Sequence, residues 1–381
     1  MFPKVPSIQS GDGSSVNKMP GQAIQVAKTE TADGDAHKIQ CSTRAQAALQ
    51  ALAKCQELQR FLQTKNALEG SSPKLGSIQS AKILGHLQLI QGCPWKPNPT
   101  AVAHYRTKLG QCCNASFWLL VTKENTPVGS HLISDVNKNW KQSVKAELVD
   151  LLPERSPFSD TQYGRCAVVG SGGILRNSGC GQEIDQADLI VRFNMPPMNF
   201  SEDVGTKTSL VTINPTILEK KYTKLSGRRK PFADAVSAYR GAFFIIPAFS
   251  FPGHASMAYR ALYATQDFGL AGQVTFLNPH YLEALSNYWR GQNLQPNRLS
   301  TGFMFVNVAL ELCQHITLYG FWPFQHGLDN QPILHHYFDN MLPKPGVHAM
   351  PSEFSHYLAM YAQGALHLRL GKCQQEAGDI A

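Results

Sequence analysis

Gly170-Ser171-Gly172-Gly173 stands between two short apolar runs, Cys166–Val169 and Leu189–Phe193, the second closed by Asn194. Three glycines in four residues let a backbone turn sharply and let a ligand approach the main chain. A strand entering such a loop is where open α/β sheets hold nucleotides. Downstream lie His335, His336, Asp339 and His348, all able to move protons or bond phosphate. A dinucleotide fingerprint needs G-x-G-x-x-G and an acid at the end of the second strand. Here the loop continues Ile174-Leu175 and the strand ends in Asn194, with Asp185 and Asp188 ahead of it, which argues against NAD. Zinc is equally poorly served: no C-x-x-C occurs and Cys112-Cys113 are adjacent. His335, His336, Asp339 and His348 can be drawn as a metal cluster. Without helical H-x-x-x-H spacing, such histidines more often bond or catalyse, and no metal is expected. No G-x-S-x-G elbow offers a hydrolase nucleophile. What remains suits transfer of a group from an activated, anionic nucleotide donor.

The elements that must position these residues follow from the hydrophobic pattern. From residue 165 onward, strands are expected at 165–169, 188–193, 208–213, 242–247, 273–277 and 315–320. Helical patterns lie between them at 216–225, 255–267, 280–290 and 302–313. That alternation is the mark of an α/β fold, a mostly parallel sheet flanked by helices. A last helix is expected from about Pro351, with Phe354, Leu358 and Tyr361 on one face and Glu353 at the positive end of its dipole. Residues 1–40 lack periodicity and read as disordered. Residues 43–69 are helix formers, with Leu49, Leu52, Leu58 and Leu62 on a rough stripe, and read as a stem helix.

The 381 residues carry a net charge of +8, which favours anionic partners. Basic residues are scattered, with only Lys220-Lys221 and Arg228-Arg229-Lys230 as clusters, so a small acidic substrate fits better than nucleic acid. No run of 18 apolar residues is present, and the N-terminus lacks the apolar core of a signal peptide. Asn114-Ala-Ser116 and Asn199-Phe-Ser201 satisfy the glycosylation sequon.

Four stretches in order carry a family likeness: Cys166–Asn194, then Arg298–Gly302 leading to Leu318–Phe324, then His335–Asp339, then His348–Glu353. They resemble the large, small, third and very small sialylmotifs of the animal sialyltransferases, glycosyltransferase family 29. Cys-Ala-Val-Val-Gly at 166–170, Gly-Phe-Trp-Pro-Phe at 320–324 and His-Ala-Met-Pro-Ser-Glu at 348–353 resemble the α2,8 branch. Cys93–Lys96, Cys112–Ser116 and Thr126–Gly129 resemble its ganglioside and mono- or oligosialyl members. The likeness runs from about Cys93 to Cys373, so residues 1–92 are expected to be a stem and 93–381 a catalytic domain with a single Rossmann-like sheet of the GT-A-like sialyltransferase type.

The resemblance implies an inverting transfer from CMP-sialic acid to the terminal sialic acid of a ganglioside or glycoprotein glycan, without cofactor or obligate metal. Asn194 would hold the nucleotide, with Ser171 at the family's loop asparagine. Ser300, Thr301 and Gly302 would contact the nucleotide, and Trp322 would lie against it. His336, with His335 beside it, would bond the leaving phosphate together with glycine-loop amides. His348 would be the general base, kept neutral by the helix that follows it. The family's disulfides would be Cys166–Cys313 and Cys180–Cys373, each closing a long loop and requiring an oxidising lumen. Cys93, Cys112 and Cys113 would pair among themselves, with Cys41 and Cys55 in the stem. Family members are type II Golgi proteins, so an incomplete or atypical leader is expected here.

The chain departs from the family pattern at Ser171 for asparagine, at Phe193 for cysteine and at Phe338 for tyrosine. Ser171 keeps open a catalytically weak glycan- or nucleotide-binding relative, and α2,3 or α2,6 linkage is a further alternative. Residues 131–165 hold five Lys or Arg, too few for the basic strip of polymerising relatives.

Overall fold

In the computed structural model, residues 50–62, 77–239, 241–270, 274–294, 298–340 and 350–373 are described. Seven parallel strands make the central sheet: β3 (Tyr163–Val169), β4 (Leu189–Phe193), β5 (Leu210–Thr212), β6 (Phe243–Ile246), β7 (Val274–Phe276), β8 (Cys313–Tyr319) and β9 (His367–Arg369). A separate antiparallel pair is formed by β1 (His131–Ile133) and β2 (Lys141–Ser143). The central strands read as continuous apolar runs because helices cover both faces, and β4, β5 and β7 are buried at every residue.

The strand order is β7-β6-β5-β4-β3-β8-β9. The chain starts at β3, winds outward to β7, and then returns across the sheet to lay β8 on the free side of β3. Val168 is level with Val191 of β4 on one side and with Leu318 of β8 on the other. The winding direction reverses between β3 and β8, and a crevice at the C-terminal ends of strands at such a reversal is where open sheets bind ligands.

The six expected strands correspond to β3–β8, with boundaries shifted by a few residues. Neither β9 nor the β1–β2 pair was foreseen, each being only three residues long. The expected helix at 216–225 stops early. It runs Pro215–Lys220, and then Thr223, Lys224 and Leu225 take positive φ values of 50°, 56° and 58°. That turn buries Tyr222, edge-on against Phe232 of the Arg229–Ser237 helix. The last helix spans Met350–Ala362 and buries Phe354, Leu358 and Tyr361.

Asparagine and proline start several helices. Asn214 and Asn278 each accept a backbone N–H of the first turn, with Pro215 and Pro279 next in line. The Ser77–Gln91 helix places Leu84, Leu87 and Ile90 in the same core cluster as Leu58 and Leu62. Residues expected to be stem therefore bury side chains with the central sheet. Of the stem helix expected at 43–69, residues 50–62 are described and helical. The disordered tail at 1–40 and Cys41 lie outside the described residues. No helix among the described residues is long and apolar enough to cross a membrane.

Among the described residues four disulfides are present: Cys166–Cys313, Cys180–Cys373, Cys55–Cys93 and Cys112–Cys113. The first two close loops of 147 and 193 residues. Cys93 corrects an expectation, since it bonds Cys55 rather than a member of the 112–113 pair. The Ser77–Gln91 helix, seated on the core through Leu87 and Ile90, delivers Cys93 to the helical segment that carries Cys55.

At the end of the Thr301–Leu312 helix, just ahead of β8, the Glu311 carboxylate accepts the Ala115 N–H at 2.8 Å and the Tyr281 hydroxyl at 3.3 Å. Burial raises its pKa to about 7, and the two hydrogen bonds oppose that only in part. A carboxyl raised in the native state binds more protons there than in the unfolded chain. Its contribution is complete below the ordinary value of 4.5 and is lost as pH rises through about 7. Urea midpoints measured across that window should fall with rising pH in the wild type, and the slope should flatten in Glu311→Gln.

Candidate active site

The C-terminal ends of β3 and β8 are joined by backbone alone. The Gly170 N–H donates to Tyr319 O at 2.7 Å and the Gly172 N–H to Gly320 O at 3.0 Å, so the ladder continues past both strands. A Cβ on Gly172 would sit 2.5 Å from Gly320 O, and one on Gly173 would sit 2.1 Å from Leu334 O. The glycines are therefore required by close approach of three backbone segments. This corrects part of the leaving-group expectation: the Gly170 and Gly172 amides are engaged by β8, so they do not point at a phosphate.

The Ser171 carbonyl accepts the Tyr337 N–H at 3.0 Å, and Gly172 pairs with His336 in an isolated antiparallel bridge. The glycine loop thus clamps the histidine segment. His336 donates from Nδ1 to an Asp339 carboxylate oxygen at 2.6 Å and stacks on Phe338 with ring centroids 5.0 Å apart and planes 1° from parallel. Those contacts fix the ring and direct Nε2 away from Asp339. The His335 ring lies 4.1 Å from it. Burial and then the neighbouring His336 hold His335 below the ordinary imidazole value, partly countered by Asp339.

Asn194 ends β4 in the left-handed region, with φ 61°, which asparagine tolerates better than most residues. Its N–H donates to Thr212 O at 2.9 Å and its Oδ1 accepts the Asn214 N–H at 3.2 Å. It is exposed and lines a cavity of about 70 Å³ with Thr212, Asn214, His254, Arg298 and Thr301. A larger cavity of about 440 Å³ lies at the other end of the sheet, beside Arg106 and Glu311. The smaller one is taken as part of the site because it gathers Asn194 and Thr301 at the strands' C-terminal ends.

Ser300 caps the Thr301–Leu312 helix, accepting the Phe303 N–H at 3.0 Å. Its own N–H and hydroxyl donate to the carboxylate of Glu353, which is buried to 1% exposure. The serine hydroxyl is thus held by protein. Gly302 admits the Phe321 ring, which a Cβ would meet at 2.9 Å. Trp322 is buried, donates from Nε1 to His326 O at 2.9 Å, and packs edge-on against Phe324 and Phe354. It does not line the 70 Å³ cavity.

His348 lies outside the described residues. Of the two sequons, Asn199 is exposed, while Asn114 is half-buried and caps the Ala115–Trp118 turn through Phe117 N–H. Sequence reasoning missed the Glu353–Ser300 bond, the Asp339–His336 pair, and the presence of Arg298 and His254 in the cavity. The acid–histidine pair was legible, three residues apart; Glu353 and His254 were not, because their partners lie 53 residues away or across the sheet.

Comparisons with known proteins place this geometry. The family described as glycosyltransferase family 29 (sialyltransferase) matches residues 120–365. Human alpha-2,8-sialyltransferase 8F is 40% identical over 329 residues, covering 86% of this chain and 81% of that protein. Rat alpha-2,8-sialyltransferase 8E is 37% identical, covering 78% and 80%, and the Xenopus tropicalis alpha-N-acetylneuraminide alpha-2,8-sialyltransferase is 38% identical, covering 77% and 87%. A mammalian sialyltransferase crystal structure aligns at a TM-score of 0.49 with 21% identity, covering 70% of this chain and 95% of that one. The family match over residues 120–365 and the sequence relatives make this chain a glycosyltransferase. The chain belongs to glycosyltransferase family 29, the sialyltransferases.

The buried Glu353 carboxylate carries two donors of the Ser300 turn, and an amide in its place offers one acceptor and sets an N–H₂ against a donor. Glu353→Gln should lower stability by about 1–3 kcal/mol, the cost of a buried donor left unsatisfied. Equilibrium urea unfolding measures it.

Proposed function

We propose that the protein transfers sialic acid from CMP-sialic acid to the 8-hydroxyl of a terminal sialic acid on a ganglioside or glycoprotein glycan, with inversion. The observation that carries this reading is 40% identity across 86% of the chain to a relative named for the α2,8 reaction. The crevice supports it, because Asn194 and Thr301 share one cavity while His335 and His336 are clamped at the next strand end.

In the reaction the acceptor oxygen bonds to C2 of the donor sugar as the bond from C2 to the phosphate oxygen breaks. The electron pair leaves with CMP. His348 takes the acceptor proton, and little nucleophilic push is needed because the sugar departs through an oxocarbenium-like state. A neutral imidazole near working pH suffices for that role. With Nδ1 of His336 bonded to Asp339, Nε2 donates to the departing phosphate when the ring carries both protons. Asp339 holds the ring in a single orientation, so that donor is in place before the charge develops. The reaction as written uses no metal.

Ser171 has a shorter reach than the family's asparagine and lacks its amide donor, so the donor is held less tightly, by roughly 1 kcal/mol for one neutral hydrogen bond. The long disulfides and the exposed sequon at Asn199 fit an oxidising, glycosylating compartment, and we assign the protein to the Golgi lumen with a type II anchor.

CMP release with sialylated acceptors, followed by linkage analysis of the product, tests the reading; an α2,3 or α2,6 product, or none, overturns it. His348→Ala should reduce turnover by several orders of magnitude while leaving the unfolding midpoint near that of the wild type. His336→Ala should lose roughly 10²–10³ in kcat, the usual effect of removing one donor to developing charge.

A further inference from the structure

The 70 Å³ cavity has a second wall that the donor residues do not account for. Arg298 is the charged side chain among its described lining residues, and none of those residues is acidic. The guanidinium is fixed by its neighbours: Nη2 donates to Ser250 Oγ at 3.0 Å, lies 3.6 Å from the Asp135 carboxylate, and the group sits over the Phe251 ring at 5.4 Å. Ser250 is itself fixed through its carbonyl by the Ser134 hydroxyl at 2.7 Å. Beside it, His254 opens the His254–Asp267 helix and lines the same cavity together with Pro247, whose backbone its ring meets.

We propose that Arg298, with His254 beside it, seats the carboxylate of the acceptor's terminal sialic acid and so selects acceptors that are already sialylated. This assignment rests on the α2,8 reading above and names the residues that impose its acceptor requirement.

The position in the sheet separates acceptor from donor. The glycine loop and His335–His336 stand over β3 and β8, whereas His254 and Pro247 follow β6, on the other side of Asn194 and Asn214. A donor phosphate at His336 therefore leaves the β5–β6 end for the acceptor. At about 70 Å³ the cavity would take only the carboxylate end of the acceptor sugar, at the wall made by Arg298 and away from Asn194 and Thr301. A carboxylate is the anion whose two oxygens match a planar guanidinium fork. Burial, and then the charge of Arg298, hold His254 below the ordinary imidazole value, partly countered by Glu219 and by the Pro247 backbone. The ring stands where it can bond a hydroxyl of the sugar's glycerol chain.

The test compares the wild type with Arg298→Gln and Arg298→Lys, using a sialylated oligosaccharide acceptor and the same acceptor with its sialic acid carboxylate converted to the methyl ester. CMP release gives kcat/KM for each acceptor and KM for CMP-sialic acid. The wild type should prefer the free acid by about tenfold or more, the usual worth of a charge-assisted fork. Arg298→Gln should bring that ratio close to one by losing activity on the acid alone, with the donor KM unmoved. Arg298→Lys should fall between, and it carries the same comparison if the glutamine variant does not fold. An acid-to-ester ratio in a folded variant equal to that of the wild type overturns the assignment. A rise in donor KM with acceptor KM unchanged overturns it in favour of a donor contact. No CMP release by the wild type with any sialylated acceptor overturns the α2,8 reading itself, and this assignment with it.

Discussion

Backbone-to-backbone contact between the ends of β3 and β8 is the constraint on which the site depends. Gly170 and Gly172 extend the parallel ladder two residues beyond the strands, and Gly173 lies so close to Leu334 that no side chain fits between. This junction is at the point where the winding of the sheet reverses, where helices cannot close over the strand ends. The loop does not cradle a phosphate with its own amides at 170 and 172. It brings in another segment, His335–Asp339, and holds it by the Ser171–Tyr337 bond and the Gly172–His336 bridge. A nearby disulfide, Cys166–Cys313, ties the same two strands lower down, so the junction is pinned at both levels.

A second fastening sets the height of the opposite wall. Glu353, in the first turn of the Met350–Ala362 helix, binds the Ser300 N–H and hydroxyl while Ser300 caps the Thr301–Leu312 helix. One carboxylate therefore fixes two helix starts against each other. The aromatic side chains fill the space behind: Phe321 meets Phe193 and Tyr357, and Trp322 meets Phe354. Phe193 at the end of β4 does packing work here, contacting Phe305 and Phe321 in the core. That gives a physical reason for an aromatic at a position where the family often has cysteine.

Periodicity made the sheet legible, because each parallel strand is a continuous apolar run and each crossover a helical pattern bounded by asparagine, proline or serine. β9 was not legible: His367–Arg369 has one buried residue and joins the sheet only because Leu368 reaches the core beside β8. The helix break at Thr223–Leu225 was hidden for a similar reason, since lysines and a threonine carry no signal for a left-handed turn imposed by burying Tyr222. In the site, glycine, asparagine and histidine announced themselves by type and spacing. Glu353 was read as a partner of the helix dipole, yet it is among the most deeply buried charged groups, because its two donors come from a distant turn that sequence spacing does not reveal.

The two fastenings divide the crevice along β4. On the β3–β8 side stand the clamped histidines, fixed by backbone and by Asp339, where we propose that charge appears as a phosphate leaves. On the β5–β6 side stand Arg298 and His254, the guanidinium bonded to Ser250 and close to Asp135, where we propose that a charge present from the start is seated. Asn194 and Thr301 lie between. A left-handed Asn194 is what allows this, because it turns the chain off β4 and offers its side-chain oxygen to Asn214, linking the loops after β4 and β5. A substituent that forced an extended backbone at 194 would move both walls at once, so the residue's backbone conformation matters to the site as much as its amide does.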